Sequence, residues 1–319
     1  MSSEKSKTEP IDLNLIKQVE YKKRNNKSNI SDFGRPVENI NGTDFFESLP
    51  KFLKAADLEA FIDAVIIARE NNKPFQMLLG AHTIKVGLSP IIIDLIKKDI
   101  VTGVSFNGAG VIHDLELAFF GGTSEDVQKG LMDGSFGMVK ETGELFARVT
   151  ELSWKNKIGL GEAAGQFISE ENPPQKSLSV FGMAYENNTE ATVHIGVGTD
   201  IVAQHPNYDA AKTAAASHLD FRKLCTICSE IDNGGVVANI GSAVILPEVF
   251  LKALTVARNI KGGAGKLTTA NFDMITHYRP SENVVNRPTY KVGKGYNFVG
   301  HHEIMVPLLA WGLRRKLNK

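Results

Sequence analysis

Asn107-Gly108-Ala109-Gly110 closes the apolar run Gly103-Val104-Ser105-Phe106 and opens Val111-Ile112-His113-Asp114-Leu115-Glu116-Leu117-Ala118. That order predicts strand, glycine turn, helix. A turn without side chains lets a ligand reach the main chain, and the free N–H groups of a helix start favour an anion such as phosphate. Three more apolar runs end alike. Phe75 to Leu79 enters Gly80-Ala81-His82, Ala191 to Ile195 enters Gly196-Val197-Gly198-Thr199-Asp200, and Gly235 to Ala238 enters Asn239-Ile240-Gly241-Ser242. Helical patterns alternate with them: Asp57 to Ile66, a helix starting at Ser89-Pro90, Glu141 to Leu152, Ala210 to Ile231, and Pro247 to Ala257. The alternation predicts an α/β fold, a Rossmann-like, mainly parallel sheet with helices on both faces in a single large domain. The site is expected where the turns converge.

The remaining segments frame that body. Residues 1–40 are rich in Lys, Asn, Ser and Glu and are expected to form a polar N-terminal arm, with at most a short helix near Ile11 to Tyr21. The basic cluster Lys22 to Lys27 is read as solvated, and residues 41–319 as the domain. Glu170 to Lys176 reads as a surface loop and Gly262-Gly263-Ala264-Gly265 as a flexible hairpin. Thr269 to Met274 reads as the last strand, Thr276 to Gly300 as a polar segment, and Glu303 to Leu317 as a closing helix.

Bulk properties narrow the partners. The 319 residues carry 36 Lys plus Arg against 36 Asp plus Glu, so no global field favours nucleic acid or a membrane surface. No run approaches the roughly 18 apolar residues of a membrane span, and the polar start lacks the apolar core of a signal peptide. The only cysteines, Cys225 and Cys228, share one helix without a second pair, which argues for free thiols rather than a metal or redox site. A cytoplasmic protein acting on a small molecule or a protein is expected.

Candidate chemistry comes from polar groups near the turns. Asp200, at a strand end, could accept two hydrogen bonds from a ribose, bind an amine, or serve as a turn aspartate. His113, beside Asp114, and His205 could face one cleft as acid and base near neutral pH. Glu282, Arg279 and Arg287 fall in the polar segment, where long unstructured chain often forms a substrate loop. His82, Glu282 and His301 are the candidate substrate contacts. His301-His302-Glu303 with His82 lacks the spacing of a metal site, since adjacent residues at a helix start point apart, so no metal is expected. No nucleophile elbow is present.

The stretch from Gly80 to Asp126, together with Gly198-Thr199-Asp200, Gly241-Ser242 and the ending Ile304 to Leu309, resembles deoxyhypusine synthase and its relatives. The resemblance covers most of the chain after about residue 40. It implies a homotetramer with NAD at subunit interfaces, and hydride transfer from spermidine. It also implies an aminobutyl group carried as an imine on an enzyme lysine and passed to a protein lysine or to a small amine. The NAD contacts it implies are Asn107, Gly108, Ala109, Gly110, Asp114, Thr199, Asp200, Gly241 and Ser242. Departures fall on the chemistry. Ile112-His113 precedes Asp114 where the family has acids, His205 replaces an aspartate, and the family's triple glycine reads Ile240-Gly241-Ser242. The catalytic Trp-Gly-Lys is absent, and its region runs from Val285 to Lys294. Lys291 or Lys294 is therefore the expected imine former, with His113 and His205 as proton carriers. Simple NAD-dependent amine oxidation and a catalytically silent binding protein are the alternatives.

Overall fold

The computed structural model describes residues 12–30, 33, 46 and 49–317. Along the chain, β1 (Asn26–Asn29) is followed by α1 (Leu53–Glu70), β2 (Phe75–Leu79), α2 (Ser89–Lys97), β3 (Gly103–Asn107) and α3 (Gly108–Phe120). Next come β4 (Gly122–Glu125), α4 (Val127–Asp133), α5 (Lys140–Asn156), α6 (Leu160–Glu171) and α7 (Val180–Glu186). The second half contains β5 (Glu190–His194), α8 (Ala210–Ile231), β6 (Val236–Ile240), α9 (Ile245–Lys261), β7 (Thr268–Asp273), β8 (Lys294–Val299) and α10 (His302–Leu317).

Six strands form one parallel sheet in the order β5-β3-β2-β6-β7-β8. The chain starts at β2, steps outward through β3 and β5, then returns to β6 and steps outward the other way. Counted within the sheet, this is the 3-2-1-4-5-6 order of the doubly wound fold, with its switch point between β2 and β6. Strand residues alternate between two cores. Met77 and Leu79 of β2 face the larger one with Phe61 of α1, Ile92 of α2, Val111 of α3 and Leu309 of α10. Leu78 faces the other way, with Leu224 and Cys228 of α8 and Phe250 of α9. A sheet buried on both faces buries every position of a central strand, so β2 and β6 are mostly apolar, and their polar residues Gln76 and Asn239 are hydrogen-bonded to Ser105 and Asn271 on neighbouring strands. The α/β, Rossmann-like single domain expected from the sequence is the one observed.

Helix ends are fixed by side chains and glycines. Asp209 accepts from the Lys212 N–H at 2.9 Å to start α8, and Ser179 accepts from the Gly182 N–H at 2.8 Å to start α7. α3 stops at Gly121, at φ +73°. Gly262, read as part of a hairpin, caps α9 at φ +81° in the loop leading to β7.

Two expectations need correction. The polar segment after β7 holds three helical pieces, Tyr278–Pro280, a π-helix at Ser281–Asn286 and Arg287–Thr289, and then β8, so β7 is not the last strand. β8 is an edge strand with only Phe298 buried, and so lacks the apolar run that marks a central one. The basic cluster is not wholly solvated either. Lys22 and Lys23 are exposed, but the Arg24 guanidinium is buried, with its two terminal nitrogens on the Glu116 carboxylate at 2.7 and 2.9 Å. Residues 12–30 lie along the body. Val19 bridges Val139, β1 pairs antiparallel with β4, and single 3₁₀ turns at Leu13–Leu15 and Tyr21–Lys23 replace the short helix. The rest of the expected arm lies outside the described residues.

Candidate functional site

Because the sheet is parallel, the turns after β2, β3, β5, β6 and β7 meet at one edge. The turn after β3 is already occupied. Asn107 takes the N-cap position of α3 without capping it, and its buried Oδ1 has no hydrogen-bond partner. The Ala109 N–H donates instead to Asp200, which arrives from the turn after β5. A Cβ on Gly108 would lie 2.1 Å from Asp200 Oδ2, so glycine there admits the carboxylate. Burial lifts Asp200 to about 6, against the pull of that hydrogen bond. Gly110 serves packing, since its Cβ would meet the Phe106 ring at 2.6 Å.

Other expected residues separate into different networks. Asp114 is fully buried and turned away from the strand ends, where it accepts from Ser179 Oγ and the Val180 and Phe181 N–H groups at the start of α7. It caps that helix, and burial pushes its carboxyl up to about 7. His113 bonds Thr123 Oγ1 at 2.7 Å, and burial drives it down to about 4. His205 is 1% exposed, held by Gln18 at 2.5 Å on Nδ1 and by the Gly137 carbonyl at 2.7 Å on Nε2. It pins the N-terminal segment to the body, so the pairing of His113 and His205 in one cleft is not observed.

The expected imine-forming lysines lie at the other edge of the sheet from the converging turns. Lys294 opens β8 opposite Thr268, the first residue of β7, and Lys291 lies just before it. At roughly 3.3 Å per residue, both stand about 17 Å or more from the strand ends where the turns converge. Glu282 is spent locally, accepting from Asn286 at 2.8 Å and lying 3.6 Å from Arg287. His301 is 65% exposed and Thr199 donates to the Gly196 carbonyl at 2.8 Å.

A tighter cluster lies over the switch point. His82 follows β2, Gly241 and Ser242 follow β6, Asp273 ends β7, and His302 starts α10 after β8. The His82 and His302 rings meet edge to face with centroids 5.6 Å apart. His302 is 1% exposed, neither ring nitrogen has a hydrogen-bond partner, and Nε2 is 3.8 Å from Asp273 Oδ1. Asp273 Oδ2 is likewise buried without a partner. Burial first, then the neighbouring His302 and Lys85, lower the His82 pKa. Gly241 has φ +69°, and a Cβ there would meet the His302 ring at 2.9 Å, while one on Gly80 would sit 2.1 Å from the Gly241 carbonyl oxygen. The two glycines therefore let main chain and the His302 ring pack together where side chains would normally stand. Ser242 Oγ accepts from the Leu246 N–H at 3.2 Å, opening α9.

The sequence groups His302 with His82 only as metal ligands, a reading set aside on spacing, and does not single out Asp273. Their signal was present: an acid at a strand end, and a histidine at the first residue of a helix after another strand. Among the described residues no group of histidine, cysteine or carboxylate is arranged to hold a metal.

A Rossmann-like parallel sheet with its topological switch point between β2 and β6 defines the fold class. No protein-family model matches the chain, and no curated protein matches it in sequence. Solved structures do share the fold. A conserved protein of Methanococcus maripaludis S2 designated LOR/SDH overlays with TM-score 0.54 at 13% identity, over 88% of this chain and 74% of its own. AgrE, in a ternary complex with ornithine and NAD+, overlays with TM-score 0.50 at 11% identity, over 82% of this chain and 33% of its own. An Entamoeba histolytica structure described as a deoxyhypusine synthase gives TM-score 0.47 at 8% identity, over 85% and 95%. The chain thus spans about three quarters of one neighbour and a third of another. No helix among the described residues is long and apolar enough to cross a membrane.

Proposed function

We propose that the crevice over β2, β6 and β7 binds NAD and that the chain oxidises a small amine there, with His82, His302 and Asp273 handling charge and protons. The carrying observation is His302, buried with both ring nitrogens unpartnered, facing an equally orphaned Asp273 oxygen where the strand order reverses. Buried polar atoms without partners are costly, so a site that collects them is built for a ligand.

The residues fit a dinucleotide. Gly80 and Gly241 let the turns after β2 and β6 and the His302 ring approach closely at the switch point. Asn107, at the end of the second strand of the fold, offers an unused Oδ1 where a ribose hydroxyl would lie. The fold neighbour AgrE, which binds NAD+ with ornithine, supports an amine-bearing substrate, as does the sequence resemblance. Bound NAD would supply the hydride acceptor. Asp273 attracts the substrate ammonium, and His82, kept neutral by burial, takes its proton so that the nitrogen lone pair can assist oxidation.

Titrating the purified protein with NAD, then with spermidine, putrescine and ornithine in turn, tests this reading. Micromolar NAD binding and NADH absorbance with one amine are expected, with loss of turnover but not of NAD binding in His302→Gln. Absence of NAD binding would remove the proposal.

Lys85 favours a second reading. It ends the short helix His82–Lys85 that follows β2, beside the His82–His302 pair, and is the candidate imine former of an aminoalkyl transferase, passing the group to an amine or a protein lysine, with a homotetramer as the assembly. Borohydride trapping with NAD and donor amine should then add mass at Lys85, and no added mass would leave oxidation alone.

A further inference from the structure

At the opposite edge of the sheet, three lysines line one open depression of about 380 Å³: Lys266 before β7, and Lys291 and Lys294 around the start of β8. No acidic residue lines it, and Leu267, Val292 and Gly293 form part of its surface. Among the described residues none of the three lysines makes an ion pair, and Lys291 has only the Tyr290 ring, 5.2 Å from its Nζ. Such a local surplus is unusual in a chain with equal numbers of acidic and basic residues.

A bland account is that the lysines answer the carboxyl ends of α8 and α9, which finish just before β6 and β7. Each helix end carries roughly half a negative charge, so two offset about one lysine and leave a surplus of about two. Asp232, which accepts from the Gly265 N–H next to Lys266 at 2.9 Å, is already engaged with Arg258 at 2.8 Å. Lys291 is also held at φ +60°, a conformation uncommon for a residue with a side chain.

We propose that this depression is an anion site for a small phosphate-bearing ligand, separate from the strand-end crevice. Three ammonium groups without an arginine fork suit the tetrahedral, multiply charged phosphate better than a planar carboxylate. The depression, about 380 Å³, is large enough for a phosphomonoester.

The test uses the full chain and follows amide NMR shifts during titration with inorganic phosphate, with succinate, and with sodium chloride at matched ionic strength. Phosphate is expected to move the amides of residues 266–268 and 291–294 saturably, and about ten-fold or more tighter than succinate. The triple variant Lys266→Ala, Lys291→Ala, Lys294→Ala should weaken phosphate binding by at least about ten-fold while leaving NAD titration unchanged. Lys→Arg replacements, which keep the charge, should keep most of the binding. Shifts reproduced by sodium chloride, succinate binding as tight as phosphate, or unchanged phosphate affinity in the triple variant would each overturn the proposal. The NAD arm reports on the other crevice alone, so failure here is distinguishable from failure there.

Discussion

The His82 ring stands edge-on to His302, 5.6 Å between centroids and 67° between planes. Protonating one imidazole makes protonating the other costlier, and this repulsion adds to the larger effect of burial on His82. Replacing His302 with glutamine should therefore raise the His82 pKa toward that of an ordinary histidine, without restoring it fully because burial remains. Imidazole NMR titration of the variant checks this, and an unmoved His82 would show that the two rings are not coupled.

Buried acids and buried histidines act oppositely on stability as pH changes. Asp220 accepts the Gly161 and Val193 N–H groups, and burial raises it to about 7. A raised carboxyl contributes stability present below about 4 and lost as pH climbs to about 7, at up to ~1.4 kcal/mol per pH unit. His194, lowered by burial to about 3, contributes stability present above about 6.5 and lost as pH falls from there to about 3. Asp220→Asn should thus gain stability relative to the parent on moving from acid to neutral pH, and His194→Gln on moving the other way. Urea midpoints across that range decide; a slope opposite to its stated direction in either variant would contradict that assignment.

Arg24 and Glu116 form a buried bidentate pair across 92 residues of chain. Although burial opposes it, the Arg24 bonds hold the Glu116 carboxyl below its usual range. Arg24→Ala leaves that charge buried with only Thr123 and Thr142 as donors and should cost about 3–5 kcal/mol. Adding Glu116→Gln should recover part of the loss. A cost under about 1 kcal/mol by urea unfolding would mean that the pair is solvated.

Gly80→Ala should destabilise by about 1–3 kcal/mol, because the new methyl group meets main chain that cannot turn aside. The same push separates the ends of β2 and β6, so NAD affinity should fall as well. Unchanged affinity in a folded variant would move the dinucleotide site elsewhere.

Lys291→Ala and Lys294→Ala should each leave amine oxidation within about two-fold of the parent, the change expected of surface residues away from the chemistry. A loss of two orders of magnitude in either would return the chemistry to the opposite edge.

The central strands and long helices were legible because their patterns are strong. Phe75–Leu79 and Ala210–Ile231 were read to the residue, and the four glycine turns do converge at one edge. β8 was missed since an edge strand keeps polar residues on its open side, and the β1–β4 pair because Asn26–Asn29 contains no apolar residue. Site residues were harder. Asp114 and His205 are spent on caps and pins that depend on Ser179, Gln18 and Gly137, partners remote in sequence. His302 gained its role from a ring that approaches across the sheet order, which no local spacing encodes.

Asp200 has a further consequence. With its carboxylate already at the first turn of α3, the partial positive charge of that helix is answered from within the protein. Recognition beside β3 then falls to uncharged groups such as Asn107. Ligand affinity there should vary little with ionic strength, whereas the lysine-lined depression on the far edge should be steeply sensitive to it.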